Sequence, residues 1–266
     1  MDTEAVMRAA LDMAGMKTVP PDSGIHVPGK DVRSVLFSID VSTSELLLAR
    51  DLGCDLVIAH HPLGRTWITF PQVLRIQEDL MVENGVPLSR AQEAAKEVFD
   101  RVSIRVHPTI YDHVVSAAKA LNIPLMNIHL PCDKVGRDFV LDKIERSGAE
   151  SVGELIDRLH EIHEFQKAET KIELVMGERE NKLGKCVLAF ATGTNGGYPV
   201  AKALFDHGAN TVIYMHIDDQ LVKLRKDCRG NLIVLGHQAG DSIGINLFVR
   251  ILREKGIKVT TVGIVE

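Results

Sequence analysis

Six side chains with metal-binding chemistry follow three apolar runs of the sequence. They are His60, His61, His129, Asp133, His237 and Asp241. Imidazole nitrogen combined with carboxylate oxygen suits Zn, Mn, Fe or Co, and the spacing does not choose among these metals. Four histidines and two carboxylates are more ligands than one tetrahedral ion needs. The sequence therefore predicts two divalent metal ions per chain that share a bridging carboxylate and a water.

The three apolar runs indicate strands, so these ligands would lie at the carboxyl ends of strands. In open α/β sheets, ligands bind outside those ends, and several of them can converge on one crevice. Neighbouring residues on a regular strand face opposite sides of the sheet. His60 and His61 are neighbours, but Pro62 favours a turn directly after them. We therefore expect the two imidazoles to splay apart and to bind one ion each.

The other ligands form two pairs, each with a spacing of four residues. On a helical turn, this spacing would bring His237 and Asp241 to one face. Pro131 forbids an ordinary helix across His129 and Asp133, so we expect a tight loop there. Either arrangement would bring an imidazole and a carboxylate to one side of the chain.

Each of these residues also has an interpretation without metal. A histidine at a strand end is more often hydrogen-bonded in the core or at the surface than bound to an ion. Asp241 lies where an N-cap of the final helix belongs. The pair His60 and His61 is harder to explain in this way, because it follows the wholly apolar run 56–59 and needs polar partners. On the residues alone, both interpretations stay open.

Short apolar strands alternate with helical segments along the chain. This alternation is typical of an α/β fold, here with mixed, largely parallel sheets flanked by helices. Capping-box patterns at Ser42, Ser89 and Ser151 predict three helix starts. An extra helical segment, about residues 65–120, separates the HHP motif from the next strand. We predict two α/β parts: residues 1–135, with the HHP and HxxxD motifs and this insert, and residues 136–266, with the GHxxxD motif.

The composition narrows the classes of partner. A net charge of −5 gives no general attraction to nucleic acid or to an anionic membrane. No apolar run reaches the roughly 18 residues of a membrane span, and the amphipathic N-terminus predicts a surface helix and not a signal peptide. The four cysteines form no CxxC pair, which favours reduced thiols and a cytoplasmic location. We expect a small-molecule substrate or a protein partner.

The three metal-binding motifs resemble those of the NGG-interacting factor three-like family, also known as the GTP cyclohydrolase I type 2 family. The family's hallmark is an apolar strand that ends in His-His-Pro, similar to Ile58-Ala59-His60-His61-Pro62-Leu63. Its His-x-x-x-Asp segment resembles residues 129–133, and its Gly-His-x-x-x-Glu segment resembles residues 236–241. All three motifs arrive in the family's order.

The resemblance implies a dinuclear centre and a closed homo-oligomer, a hexameric ring. His60 and His61 would bind different ions. Asp133 and His237 would complete the two shells, and Asp241 would bridge. This chain has Asp241 where the family usually has glutamate, which shortens the reach by one methylene.

The first functional hypothesis is a dinuclear metal-dependent hydrolase. Two ions would lower the pKa of a bridging water to near neutrality, and the hydroxide would attack a small substrate. The resemblance implies a nucleotide-like or otherwise phosphorylated substrate. The alternative is a non-catalytic metal-binding regulatory or scaffold protein, which would need no open coordination position.

A Gly-rich turn, TGTNGG at residues 192–197, lies between a predicted strand and a predicted helix. Its backbone N–H groups could receive an anionic substrate group, which would involve Thr194, Asn195 and Gly196; a plain turn is the alternative. His216 could face the substrate or be an ordinary loop residue. Cys132 could be a soft extra ligand, although a bystander is the simpler interpretation.

Overall fold

The computed structural model describes all 266 residues, Met1–Glu266. The strands are β1 (Gly24–Val27), β2 (Ser34–Ser38), β3 (Leu56–Ala59), β4 (Leu125–Asn127), β5 (Glu173–Met176), β6 (Cys186–Ala189), β7 (Thr211–Tyr214), β8 (Asn231–Val234) and β9 (Lys258–Val262). The helices are α1 (Thr3–Ala14), α2 (Thr43–Asp51), α3 (Arg65–Thr69), α4 (Ile76–Glu83), α5 (Leu88–Val106), α6 (His113–Leu121), α7 (Leu130–Arg146), α8 (Val152–Leu159), α9 (His163–Lys167), α10 (Gly197–Asp206), α11 (Leu221–Asp227) and α12 (His237–Glu254), with a 3-10 helix at Phe70–Arg75. None of the helices combines the length and the apolar character needed to cross a membrane.

The chain forms two compact units from interleaved segments. The first unit contains residues 1–70, 106–136 and 241–266, and the second contains residues 71–105 and 137–240. Each unit holds one mixed sheet in which most neighbouring strands are parallel, so the predicted fold class is confirmed. The chain passes from the first unit to the second after Gly136, next to the predicted boundary at 135/136. Residues 241–266 belong to the first unit again, although the prediction placed them in the second part.

The sheet of the first unit has the strand order β1-β4-β3-β2-β9. Strand β2 pairs in parallel with β3 and β9, and β3 pairs in parallel with β4, while β1 runs antiparallel at the edge. Because β2, β3 and β4 are parallel neighbours, their carboxyl ends lie at one edge of this sheet. Residues that follow these three strands are thereby brought close together.

Helices cover both faces of this first sheet. Val35 and Phe37 of β2 pack in a buried cluster with residues of α1 and α12, whereas Leu36 between them packs with residues of α2 and α6. The rings of Phe37 and Phe248 meet edge to face, with centroids 6.3 Å apart. A strand that is covered on both faces has an unbroken apolar sequence, as Leu56–Ala59 does.

The sheet of the second unit has the order β5-β8-β7-β6. Strands β6, β7 and β8 are parallel, and β5 is antiparallel to β8. Residues 192–196 lie between β6 and α10, and Gly197 begins the helix, as the strand-turn-helix pattern predicts.

Several helix starts differ from the predictions. Ser42 and Ser151 form capping boxes as expected. Ser89 does not, because α5 already begins at Leu88. The N-cap interpretation of Asp241 is also wrong, since α12 begins four residues earlier and Asp241 lies inside the helix.

The expected loop between His129 and Asp133 is likewise wrong. Helix α7 begins at Leu130 and includes Pro131 in its first turn. A backbone N–H has no intrahelical partner in that turn, so a proline is tolerated there. The N–H of Asp133 donates to the carbonyl oxygen of His129 at 3.1 Å, which closes a helical turn.

Candidate metal centre

Five of the six predicted ligands lie together in the first unit: His60, His61, His129, Asp133 and Asp241. Two overlapping groups each have ligand atoms that lie within 4.8 Å of one another. The first group is His60, His61 and His129, and the second is His60, Asp133 and Asp241. All but His61 are buried. The grouping of imidazoles with carboxylates that the sequence predicts is therefore present in the fold.

The register of the first sheet explains why two of the motifs meet. Ala59 of β3 pairs with Asn127 of β4. The N–H of Ile128 then donates to the carbonyl oxygen of Ala59 at 2.9 Å, so the two strands continue side by side. His60 and His129 follow directly and lie at adjacent strand ends, with ring centroids 4.8 Å apart.

His60 is oriented by the backbone of the neighbouring strand end. Its Nδ1–H donates to the carbonyl oxygen of Ile128 at 3.0 Å. A carbonyl oxygen only accepts, so in the neutral ring the Nε2 atom carries the lone pair. That Nε2 atom lies 3.1 Å from Oδ1 of Asp133, and both atoms are buried without a hydrogen-bond partner. Two acceptors that face each other in a buried space are stabilised by a cation between them.

His61 and His129 follow the same pattern. The Nδ1–H of His61 donates to Asp40, and the Nδ1–H of His129 donates to Asp22, each at 2.7 Å. Their Nε2 atoms lie 3.2 Å from Oδ2 of Asp241 and 3.6 Å from Oδ2 of Asp133, respectively. In all three rings, an outer oxygen holds the proton on Nδ1 and Nε2 faces a carboxylate. Metal-binding histidines in proteins have this arrangement.

Asp241 turns one carboxylate oxygen toward each of the adjacent histidines. Its Oδ1 lies 3.6 Å from Nε2 of His60, and its Oδ2 lies 3.2 Å from Nε2 of His61. A carboxylate in this position can contact two ions at once. The shorter side chain of aspartate, compared with the family's glutamate, still reaches both imidazoles.

The carboxylates favour positive charge at this site. Burial alone would lower the pKa of His60, but Asp241 and Asp133 raise it well above its ordinary value. Burial also opposes protonation of His61, yet hydrogen bonds to Asp241 and Asp40 raise its pKa to about 9. Divalent cations would supply the same positive charge when they displace these protons.

Asp22 and Asp40 are functional candidates that the sequence did not single out as ligand supports. Asp22 lies in the segment Pro20-Pro21-Asp22-Ser23, whose residue types are ordinary for a turn. Asp40 lies two residues after β2, a strand that is parallel to β3. Neither role follows from spacing, because each depends on contact with a distant segment.

His237, the sixth predicted ligand, is the first residue of α12 and belongs to the second unit. It is exposed and lies one helical turn before Asp241. Strand β8, which leads to it, belongs to the second sheet, so only β3 and β4 of the three expected strand ends share a sheet edge. Its part in the centre stays a prediction.

The predicted substrate loop is held by bonds within the second unit. The side-chain amide of Gln77 donates to the carbonyl oxygens of Thr192 and Thr194, at 3.2 and 3.1 Å. Nδ2 of Asn195 donates to Nδ1 of His216 at 3.0 Å. The ring of His216 in turn lies 4.4 Å from that of His237. A contact with substrate stays a prediction for Thr194, Asn195, Gly196 and His216.

Cys132 is fully buried beside Asp133. Burial raises the pKa of its thiol, which disfavours the thiolate that binds metal. The interpretation of Cys132 as a bystander is therefore favoured over that of a soft ligand.

Similar proteins share the fold along the whole chain. The crystal structure of a NIF3 superfamily protein from Sphaerobacter thermophilus is 42% identical, with a TM-score of 0.96 over 99% of this chain and 98% of that chain. Reduced HcgD from Methanocaldococcus jannaschii has a TM-score of 0.63 over 98% of this chain and 97% of that chain, and at 13% identity it shows a shared fold alone. The GTP cyclohydrolase 1 type 2 homolog of Pyrococcus horikoshii is 22% identical over 97% of this chain and 96% of that protein. No family model matches the chain.

Proposed function

Since the chain belongs to the NIF3 superfamily, we propose that it is a dinuclear metal-dependent hydrolase that acts on a small substrate. The 42% identity with the Sphaerobacter protein along almost the whole chain shows that it belongs to this superfamily. The hydrolase activity is our inference from the site.

One observation carries the proposal: three imidazoles are held with their Nε2 atoms directed at two buried carboxylates. Each Nδ1–H is already engaged by an outer oxygen, from Ile128, Asp40 or Asp22. The inner atoms are therefore nitrogen and carboxylate lone pairs, which is the donor set of Zn, Mn, Fe and Co sites.

The positions of the carboxylates support two ions and not one. Asp133 lies beside His60 and His129, whereas Asp241 lies beside His60 and His61. We propose that Asp133 would hold the ion beside His129 and that Asp241 would hold the ion beside His61 and also bridge to the first. His237 would join the ion beside His61, because it lies one turn before Asp241 on α12.

Divalent ions bound to these ligands would act as Lewis acids and lower the pKa of a water. The chain's own residues supply the rest of the chemistry. Asp133 and Asp241 provide the negative charge that neutralises the ions, and the outer oxygens keep every imidazole in the tautomer that can bind. No serine or cysteine nucleophile is required.

The exposure of His61 favours a catalytic centre over a scaffold. His60 is fully buried, but 26% of the His61 side chain is accessible, so a small molecule can approach this side of the group. A purely structural centre is more often closed on all sides.

The substrate would be nucleotide-like or otherwise phosphorylated, which the name of the Pyrococcus relative supports. The loop residues Thr194, Asn195 and Gly196, with His216, would contact it.

Elemental analysis of the purified protein, followed by a hydrolase screen, tests this proposal. We expect about two transition-metal ions per chain in the wild type after reconstitution, with a clear loss in His60→Gln and His129→Gln. The control is His107→Gln, because His107 is an exposed residue outside the centre. Circular dichroism of each variant shows whether it has folded.

The outcomes separate the two functional classes. Two ions together with turnover of a phosphorylated or heterocyclic substrate would support the hydrolase. Two ions without turnover across the screen would leave the regulatory or scaffold function. Failure of the wild type to bind metal would remove the dinuclear centre itself. Light scattering during size-exclusion chromatography tests the homo-oligomer that the family implies.

A further inference from the structure

We propose that Asp22 is a positioning residue of the metal centre, and that the contrast between buried Asp22 and exposed Asp40 makes the two ions unequal in affinity. This inference rests on the proposed dinuclear centre. The ion beside His129 would be the tighter one, and the ion beside His61 the weaker.

Asp22 holds His129 from a fully buried position. Its side chain is 0% exposed, and its Oδ2 accepts the Nδ1–H of His129 at 2.7 Å. Within a protein, a charge-assisted hydrogen bond of this length is strong, since no water competes for either partner. The ring of His129 therefore has one orientation and one tautomer before any ion arrives.

The backbone around Asp22 and Ser23 reinforces this contact. The N–H of His129 donates to Oγ of Ser23 at 2.9 Å, so the segment binds both the ring and the main chain of the same residue. The side-chain amide of Asn127 donates to the carbonyl oxygen of Asp22 at 2.7 Å. These two bonds tie the segment to β4 and its continuation, and neither of them uses the Asp22 carboxylate. The hydroxyl of Ser23 also donates to Oδ1 of Asp22 at 3.3 Å, and Asp22→Asn can retain an acceptor oxygen at that position.

Asp40 makes the corresponding hydrogen bond to His61 from a solvent-exposed position. Its Oδ1 accepts the Nδ1–H of His61 at the same distance of 2.7 Å, but its side chain is 86% exposed. Water can compete for an exposed carboxylate, and the high dielectric weakens the interaction. Removal of Asp40 should therefore disturb the orientation and tautomer of His61 less than removal of Asp22 disturbs those of His129.

An outer carboxylate affects metal affinity through the ligand that it holds. It fixes the lone pair of the imidazole toward the ion and raises the basicity of that nitrogen. Loss of such a partner weakens metal binding by about 10–100-fold. The two ions would thus have separate affinities, set by the burial of one outer aspartate each.

The matched variants Asp22→Asn and Asp40→Asn test the proposal. Zn²⁺ is titrated into each metal-free protein in competition with a chromophoric chelator. We expect two affinities in the wild type, with the tighter one weakened about 10–100-fold in Asp22→Asn. In Asp40→Asn the tighter affinity should stay unchanged, and the weaker one should fall by less than about threefold. Equal losses in the two variants, or a larger loss in Asp40→Asn, would overturn the inference.

A second measurement does not depend on metal or on a stable variant. Nuclear magnetic resonance of the metal-free wild type should show a proton on Nδ1 of His129, shifted far downfield by the bond to Asp22. If that proton is found on Nε2 alone, the positioning role is wrong. Failure of the wild type to bind Zn²⁺ while the Nδ1 proton is present would contradict the proposed function and not the contact. Two tight ions retained in a folded Asp22→Asn would contradict only the positioning role.

Discussion

Gly244 of α12 lies against the main chain of Cys132 in α7 so closely that any side chain at position 244 would overlap the carbonyl oxygen of Cys132. Asp133 follows Cys132, and Asp241 lies about one turn before Gly244 on α12. The close approach of these two helices therefore places both carboxylates of the candidate metal centre beside His60.

The variant Gly244→Ala should disturb both stability and metal binding. In an ordinary helix this change stabilises by about 1 kcal/mol. Here the methyl group meets backbone that cannot move aside as a side chain would, so we expect the free energy of unfolding to fall by about 1–3 kcal/mol. Urea unfolding and metal content after dialysis measure the two effects. Arg250→Ala, an exposed position on the same helix, is the control and should change neither.

Substitutions of Asp241 should separate the effect of side-chain length on metal binding from the effect of its charge. Asp241→Glu restores the residue that the family usually has, and we expect about two ions per chain to be retained. Asp241→Asn keeps the shape but loses the negative charge and one acceptor oxygen beside His60 and His61. Its metal content should fall to about one ion per chain or less. Full retention of both ions in a folded Asp241→Asn would show that this carboxylate does not bridge.

The stability of the metal-free protein should depend on His26 at mildly acidic pH. Burial lowers the pKa of His26 below 6.5, although its hydrogen bond to Asn127 opposes this. As the pH falls, the unfolded chain takes up the proton first. The stabilisation by neutral His26 is therefore complete above about pH 6.5 and is lost as the pH falls through the lowered pKa.

Urea unfolding at pH 7.5 and at pH 5, with a chelator present, measures this effect. The difference in the free energy of unfolding between the wild type and His26→Gln should narrow at the lower pH. The exposed variant His107→Gln should follow the wild type at both values. A difference that widens toward pH 5 would contradict the predicted sign.

Trp67 offers an optical report on the centre. It is the one tryptophan of the chain, its ring stacks on Phe70 at 5.5 Å, and the ring of Phe70 meets that of His129 at 5.8 Å. We expect binding of paramagnetic Co²⁺ to quench the indole fluorescence of the wild type and to quench it less in His129→Gln. Bound Co²⁺ without any change in emission would place the ion away from His129.

Much of the fold was predictable because its signals are local. The capping boxes at Ser42 and Ser151 and the apolar run Leu56–Ala59 form the elements expected of them. The start of α7 was not, because a proline predicts a break in a helix, whereas Pro131 lies in the first turn, where a proline is compatible with the helix. Spacing alone does not show where a helix begins, and the sheet that receives β8 is likewise decided by packing.

By itself, the sequence determined which residues have side chains that can bind metal, since the order of residues along the chain shows the histidines and aspartates that follow apolar strands. The tertiary structure decided how those residues are used. The partner of His129 is Asp22, 107 residues away, and the partner of His60 is a carbonyl oxygen 68 residues away. The tautomer of an imidazole and the burial of its partner depend on such contacts between distant segments, and no pattern of spacing encodes them.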